Sequence, residues 1–253
     1  MIFNILGWIT TAIFILPFML VFPLFHLPLV IGHKVFGYQA QKKVLDYLQI
    51  TIITLLRING FTFRVRRWQQ PLPKDRPLII VSNHQSIFDI PFLIWVFRRH
   101  HPKFVSKKEL GRGIPTTSYY LRHGGNALID RKDKVQSLKA ISDLGEYIEK
   151  NTRSAIIFPE GSRSKNGILK EFKTAGVLKL IEKSPSALVV PVVIENSWQI
   201  VKNNFKPIPF GIKCKLTVLE PIEPSEYSND EIMKILEERI RVQLKQEKTG
   251  VEI

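Results

Sequence analysis

Leu78-Ile79-Ile80-Val81-Ser82-Asn83-His84-Gln85-Ser86-Ile87-Phe88-Asp89, running on into the apolar stretch Ile90 to Phe97, decides the fold. Four consecutive apolar residues after the Pro-rich loop at 71–77 read as a strand buried on both faces, because a half-buried strand would alternate. A polar turn follows, and the run after it has the length and composition of a helix. The same unit recurs. Short apolar runs at 103–105, 127–129, 154–158 and 188–193 are separated by helical patterns, the clearest at 134–150, where Val135, Leu138, Ile141, Leu144 and Ile148 share a face. Strands alternating with helices predict an α/β domain with a mostly parallel central sheet flanked by helices, whose site lies in the loops beyond the strand ends. Phe61 to Arg66 alternates as a half-buried strand does, and 212–219 extends the sheet with Ile212, Cys214, Leu216 and Val218 facing the core. A last helix starts near Ser228, where Ser228 and Glu231 have capping-box spacing, and carries Ile232, Ile235, Leu236 and Ile240.

Upstream, the first 33 residues hold no Asp, Glu, Lys or Arg. A bilayer span needs only about 20 mostly apolar residues, so this segment reads as a membrane anchor. No basic residue precedes it and no small-x-small cleavage site follows it, which argues against a cleavable signal. Pro17, Pro23 and Pro28 are expected to break or kink a continuous helix. Two short helices dipping into one leaflet therefore compete with a single span, and a buried hairpin in a soluble protein is the blander alternative. Lys34, Lys42 and Lys43 put the remainder on the cytoplasmic face of an inner or cytoplasmic membrane. From Tyr38 to Ile58, Val44, Leu45, Leu48, Ile52, Leu55 and Leu56 recur at helical spacing, and Gly60 is placed to end that helix. The expected division is a membrane-associated helical segment at 1–58 and an α/β catalytic domain at 59–253.

The 37 Lys and Arg against 22 Asp and Glu give a formal charge of +15. Such a surface attracts phosphates on lipids, nucleotides or nucleic acid alike. No helix-turn-helix, zinc or aromatic RNA-binding motif accompanies the charge, so no nucleic-acid partner is expected. With a single cysteine, Cys214, the chain has no intramolecular disulfide and no multi-thiolate zinc site. No metal is expected.

His84 stands at a strand-to-helix turn. On one regular helix a spacing of five residues turns about 500°, roughly 140° off register, and His84 would miss Asp89. With His84 in the turn and Asp89 in the first turn of the helix, the carboxylate can reach the imidazole. That bond would fix the tautomer and leave the other ring nitrogen to take a proton from a hydroxyl. No G-x-S-x-G elbow is present, so the attacking oxygen is assigned to a substrate alcohol. The blander reading is that Asn83 or Ser86 caps the helix and His84 is incidental. A second cluster, Phe158-Pro159-Glu160-Gly161-Ser162-Arg163-Ser164, also follows an apolar strand. Backbone amides around Gly161 and the fork of Arg163 suit an anion, against the alternative of a plain surface turn. Lys170 and Lys173 come close behind, Lys107 and Lys108 follow 103–105, and Arg131 follows 127–129.

These blocks resemble the 1-acyl-sn-glycerol-3-phosphate acyltransferase family of glycerolipid acyltransferases. Asn83 to Asp89 (NHQSIFD) matches its N-H-x-x-x-x-D signature and Gly125 to Arg131 (GNALIDR) resembles its second block. Phe158 to Ser164 (FPEGSRS) resembles the third, with Ser162 where Thr is usual, and Val190-Pro191-Val192 resembles the fourth. The resemblance implies transfer of an acyl group from acyl-CoA or acyl carrier protein, as a thioester co-substrate with no bound cofactor, to the hydroxyl of a lysophospholipid. It implies His84 as base, Asp89 orienting it, and Arg163 with Lys108 on the acceptor phosphate. Glu160, Gly161 and Ser162 would shape acceptor binding, Arg131 would have a supporting phosphate or structural role, and Pro191 would shape the acyl-donor site. The chain departs from the family pattern where Leu110 is followed by Pro115 after four residues instead of three, and where Ser118 replaces a usual glycine. Other acceptors, such as a lysophospholipid with a headgroup or a lyso-aminolipid, a CoA-independent transacylase, and a non-catalytic membrane-surface protein are the competing readings.

Overall fold

The structure, a computed structural model, describes residues 2–246. In chain order it contains α1 (Ile2–Leu56), β1 (Thr62–Arg66), β2 (Leu78–Ser82), α2 (Asp89–Val96), β3 (Pro102–Lys107), α3 (Pro115–His123), β4 (Ala127–Ile129), α4 (Lys134–Asn151), β5 (Ser154–Ile157), α5 (Thr174–Lys183), β6 (Leu188–Glu195), the short α6 (Trp198–Val201), β7 (Lys213–Val218) and α7 (Asn229–Gln243). The strands form one seven-stranded sheet in the order β1-β7-β6-β2-β5-β3-β4. All pairings are parallel except β6 with β7. Because β2 lies between β5 and β6, all five of its residues are buried, as its unbroken apolar run requires.

Alternate residues of the central strands feed two cores, so the molecule is a helix-sheet-helix sandwich. Leu78 and Ile80 point to the side covered by α1, α2 and α3, whereas Ile79 and Val81 point to the side covered by α4, α5 and α7. Cys214, 1% exposed, sits among Ile212, Leu216 and Val218 in the first core, as the alternation predicts. The capping box at Ser228 and Glu231 is formed at the start of α7.

Three expectations need correcting. Pro17, Pro23 and Pro28 all lie inside α1, and the only non-helical backbone there is at Gly37, with φ 75° and ψ −163°, a conformation open essentially to glycine alone. The break therefore falls nine residues beyond the last proline, and the chain folds back sharply enough for Gly32 to abut the backbone of Ala40 and Gln41. Each proline costs about 3 kcal/mol in a helix interior, and burial of Phe14, Val21 and Leu29 against the domain, at about 1.5–3 kcal/mol each, offsets it. Second, β1 is more exposed than its alternation suggests. As an edge strand it packs only Phe63 well, stacked on Phe92 at 4.4 Å, and leaves Val65 exposed. Third, Val135 in the first turn of α4 is 81% exposed, so the buried stripe there begins further along.

Candidate active site

Four adjacent parallel strands, β2, β5, β3 and β4, end on one edge of the sheet, and the motifs of His84, Glu160 to Arg163, Lys108 and Arg131 each follow one of them, whereas Pro191 lies within β6. α2 begins at Asp89, so the turn from β2 holds His84 outside the helix. There His84 Nδ1 meets Asp89 Oδ2 at 2.8 Å. The same carboxylate oxygen accepts from the backbone N–H groups of Gln85 (2.6 Å) and Ser86 (2.8 Å), while Oδ1 accepts from Ser197 Oγ at 2.5 Å. Asp89 is fully buried; the His84 side chain keeps 15% exposure. Since the carboxylate only accepts, Nδ1 carries the ring proton and Nε2 keeps its lone pair.

The loop after β5 holds His84 from a second direction. The Phe158 ring stacks on the imidazole at a centroid distance of 4.0 Å and an interplanar angle of 15°. Glu160 Oε1 accepts from the His84 backbone N–H at 2.6 Å, Oε2 accepts from the Lys170 N–H at 3.0 Å, and the Ser164 N–H donates to the His84 carbonyl at 2.7 Å. Both backbone polar groups of His84 are thereby fixed. Burial pushes the Glu160 carboxyl up to about 7 against the pull of its two backbone donors and Lys170. Asn83 completes the frame by pairing with the backbone of Ile194 in β6, donating from Nδ2 and accepting at Oδ1, both at 2.8 Å.

The remaining candidates divide by position. Arg163 is exposed and, among the described residues, forms no salt bridge; Lys170 Nζ donates to its carbonyl at 2.9 Å and to Ser162 Oγ at 2.8 Å. Gly161 takes φ 67°, and the Lys173 ammonium lies 3.3 Å from where a Cβ would stand, so that cation rests directly over the glycine. The Gly161 N–H donates to the Phe158 carbonyl. It is thus spent on the turn and not free for an anion, contrary to expectation. Strands about 4.8 Å apart put Lys108, on β3's end, about 10 Å sideways from β2 and Arg131, on β4's end, about 14 Å. Both side chains are exposed. Glu160 faces inward, with both carboxylate oxygens accepting from backbone N–H groups. Pro191 is buried in β6 opposite Val81, on the sheet side away from α1. Ser118, where the family usually has glycine, donates from its hydroxyl to the Leu110 carbonyl at 3.1 Å and so ties α3 to the turn after β3.

Sequence reasoning missed Ser197, the Phe158 stack and the bracing role of Glu160. The first lies 108 residues from its partner and carries no local pattern. The blander reading of the turn fails: α2 has no side-chain cap, and the Ser86 hydroxyl serves only the Phe88 N–H.

A family model described as Acyltransferase matches residues 64–195. The 1-acyl-sn-glycerol-3-phosphate acyltransferase of Helicobacter pylori is 34% identical over 168 residues, 64% of this chain and 66% of that protein. The human 1-acyl-sn-glycerol-3-phosphate acyltransferase beta is 31% identical over 166 residues, 66% of this chain and 58% of the relative. The chain thus spans less than two thirds of the length of either. Among solved structures, the 1-acyl-sn-glycerophosphate acyltransferase PlsC of Thermotoga maritima superposes with a TM-score of 0.70 at 22% identity, covering 100% of this chain and 97% of that one. That likeness establishes the fold.

Proposed function

The chain belongs to the Acyltransferase family, and from that premise we propose that it transfers a fatty acyl group to the sn-2 hydroxyl of 1-acyl-sn-glycerol 3-phosphate, making phosphatidic acid for phospholipid synthesis. The donor in this reading is a thioester, acyl-CoA or acyl carrier protein. The observation that carries it is the His84–Asp89 bond at 2.8 Å with the unpaired Arg163 one strand away. Nε2 of His84 takes the hydroxyl proton as the alcohol oxygen attacks the thioester carbonyl. The tetrahedral intermediate then collapses, the C–S bond breaks, and the imidazolium returns its proton to the departing thiolate. Asp89 stabilises the transient imidazolium. The acceptor's phosphate lies only a few bonds from its reacting hydroxyl, so Arg163 is the natural partner, Lys108 the second, and Arg131 too remote for more than support.

The acceptor and product are bilayer lipids, which supports a membrane-bound enzyme acting at the cytoplasmic face of an inner or cytoplasmic membrane. α1 is long and apolar enough to cross a bilayer and leaves Trp8, Leu16, Leu24 and Leu27 exposed. Its Phe18 ring lies 5.7 Å from that of Phe88, the residue before Asp89. An acyl chain held along α1 would therefore end beside the base. The test is a panel of lyso-acceptors offered with radiolabelled acyl-CoA and acyl carrier protein. Label should enter phosphatidic acid with the full chain and not with His84→Ala; preferential labelling of a lysophospholipid bearing a headgroup would replace the proposed acceptor.

A further inference from the structure

On the opposite edge of the sheet from His84, where β3 starts, a cavity of about 10 Å³ lies between the second segment of α1 and the sheet. That volume admits one water-sized body. Tyr38, Gln41, Lys42 and Asp46 line it from α1, and His101 and Lys103 line it from β3 and the turn before it. Gln41 is 1% exposed, and its buried Nε2 donor has no partner. Lys103 is also 1% exposed, forms no salt bridge among the described residues, and donates only to Tyr38 Oη, at 3.1 Å. An ammonium has three protons to place. The Arg153 guanidinium lies 3.8 Å over the Tyr38 ring, with buried Nε and Nη1 donors also unpartnered. Asp46, the one carboxylate lining the cavity, is already taken by Lys42 at 2.5 Å.

We propose that this cavity binds a small monovalent anion of halide size, held by Lys103 and Gln41. An unpartnered donor, Gln41 Nε2, and an ammonium with a single acceptor face it, cations outnumber the single engaged carboxylate, and a buried unpaired charge is costly until something of opposite sign joins it. Burial, with Arg153 and Lys42 nearby, drives the Lys103 ammonium down to about 7, the mark of a cation without a counterion. Bound there, the anion would bridge Gln41 of α1 and Lys103 of β3, fastening the helical hairpin to the sheet.

Crystals of the full chain grown with bromide in place of chloride should give an anomalous peak in the cavity within hydrogen-bonding reach of Gln41 Nε2 and Lys103 Nζ. In solution, the thermal midpoint should stand above its value in gluconate at equal ionic strength and, once halide exceeds its Kd, climb with the logarithm of halide concentration. Lys103→Met should lose that halide-specific rise, and Gln41→Met, which keeps the cation, should shift it to higher halide concentration. A water with no anomalous signal in concentrated bromide, or a midpoint that responds to halide identically in wild type and Gln41→Met, would overturn the proposal.

Discussion

A ring bonded through Nδ1, stacked on Phe158 and gripped at both its backbone N–H and C=O keeps one orientation, which leaves Nε2 for the proposed proton transfer. General-base catalysis contributes about 10²- to 10⁴-fold. His84→Ala should therefore lower turnover by at least that range, while circular dichroism and vesicle binding stay unchanged; near-normal turnover would remove the base from the mechanism. Ser197 makes the sharper test. It gives Asp89 Oδ1 its hydrogen bond inside a fully buried site, and an unsatisfied buried acceptor costs about 1–3 kcal/mol. Ser197→Ala should lower both the thermal midpoint and kcat, and Ser197→Thr should restore kcat because the hydroxyl returns. If Thr fails while Ala is harmless, Ser197 does not position Asp89. His84 and Asp89 were legible because a strand, a turn and a helix start sit next to each other in the chain. Ser197 was not, because only folding brings β6's end back beside β2.

The loop after β5 acts as a unit. Glu160 joins two backbone N–H groups, Lys170 holds the carbonyl of Arg163, and Lys173 covers Gly161. With its folded value raised from 4.5 to about 7 by burial, Glu160 keeps a proton in the folded state that the unfolded chain releases. The folded state binds more protons across that window, so its stability falls as pH rises from 4.5 through about 7, by a penalty on the order of 3 kcal/mol. Glu160→Gln should flatten this dependence in thermal melts recorded across the same window. It should also cut turnover by up to about 10²-fold, since the amide can accept from only one of the two N–H groups and the loop shifts. An unchanged slope of midpoint against pH would deny Glu160 the elevated value. Arg163→Ala should raise the acceptor KM well beyond the effect of Arg131→Ala, because one strand spacing separates Arg163's loop from His84's and three separate Arg131's; equal effects would place the phosphate elsewhere. The sheet's central elements were readable because β2, β5 and β6 are buried on both faces and so appear as unbroken apolar runs. α1 was misread because proline's local cost was weighed without the tertiary burial that offsets it, and Glu160's inward turn is invisible to a motif that records only its identity.

At the scale of the molecule, α1 has two unlike sides. Phe14, Val21 and Leu29 are buried in the domain's core, Thr11 Oγ1 accepts from the Ile208 N–H, and Thr116 Oγ1 donates to the Phe22 carbonyl, so this helix is part of the fold and not a tether. Its other side exposes Ile2, Phe3, Trp8, Leu16, Leu20, Leu24 and Leu27, and large exposed apolar patches commonly mark a surface that meets a membrane or a partner. The chain's +15 charge adds attraction to anionic headgroups. Replacing Trp8, Leu16 and Leu24 together by Glu removes three side chains worth about 1.5 kcal/mol each in lipid, or roughly three decades of partitioning. In flotation with anionic vesicles the triple variant should remain with the soluble fraction while the wild type floats. Its thermal midpoint should hold, because none of the three residues is buried. Turnover on a short-chain, water-soluble acceptor should also persist, since the packing of Phe18 on Phe88 is untouched. Flotation equal to wild type would show that the exposed side of α1 is not what meets the bilayer, and retained flotation that collapses in high salt would assign membrane attachment to the cations instead.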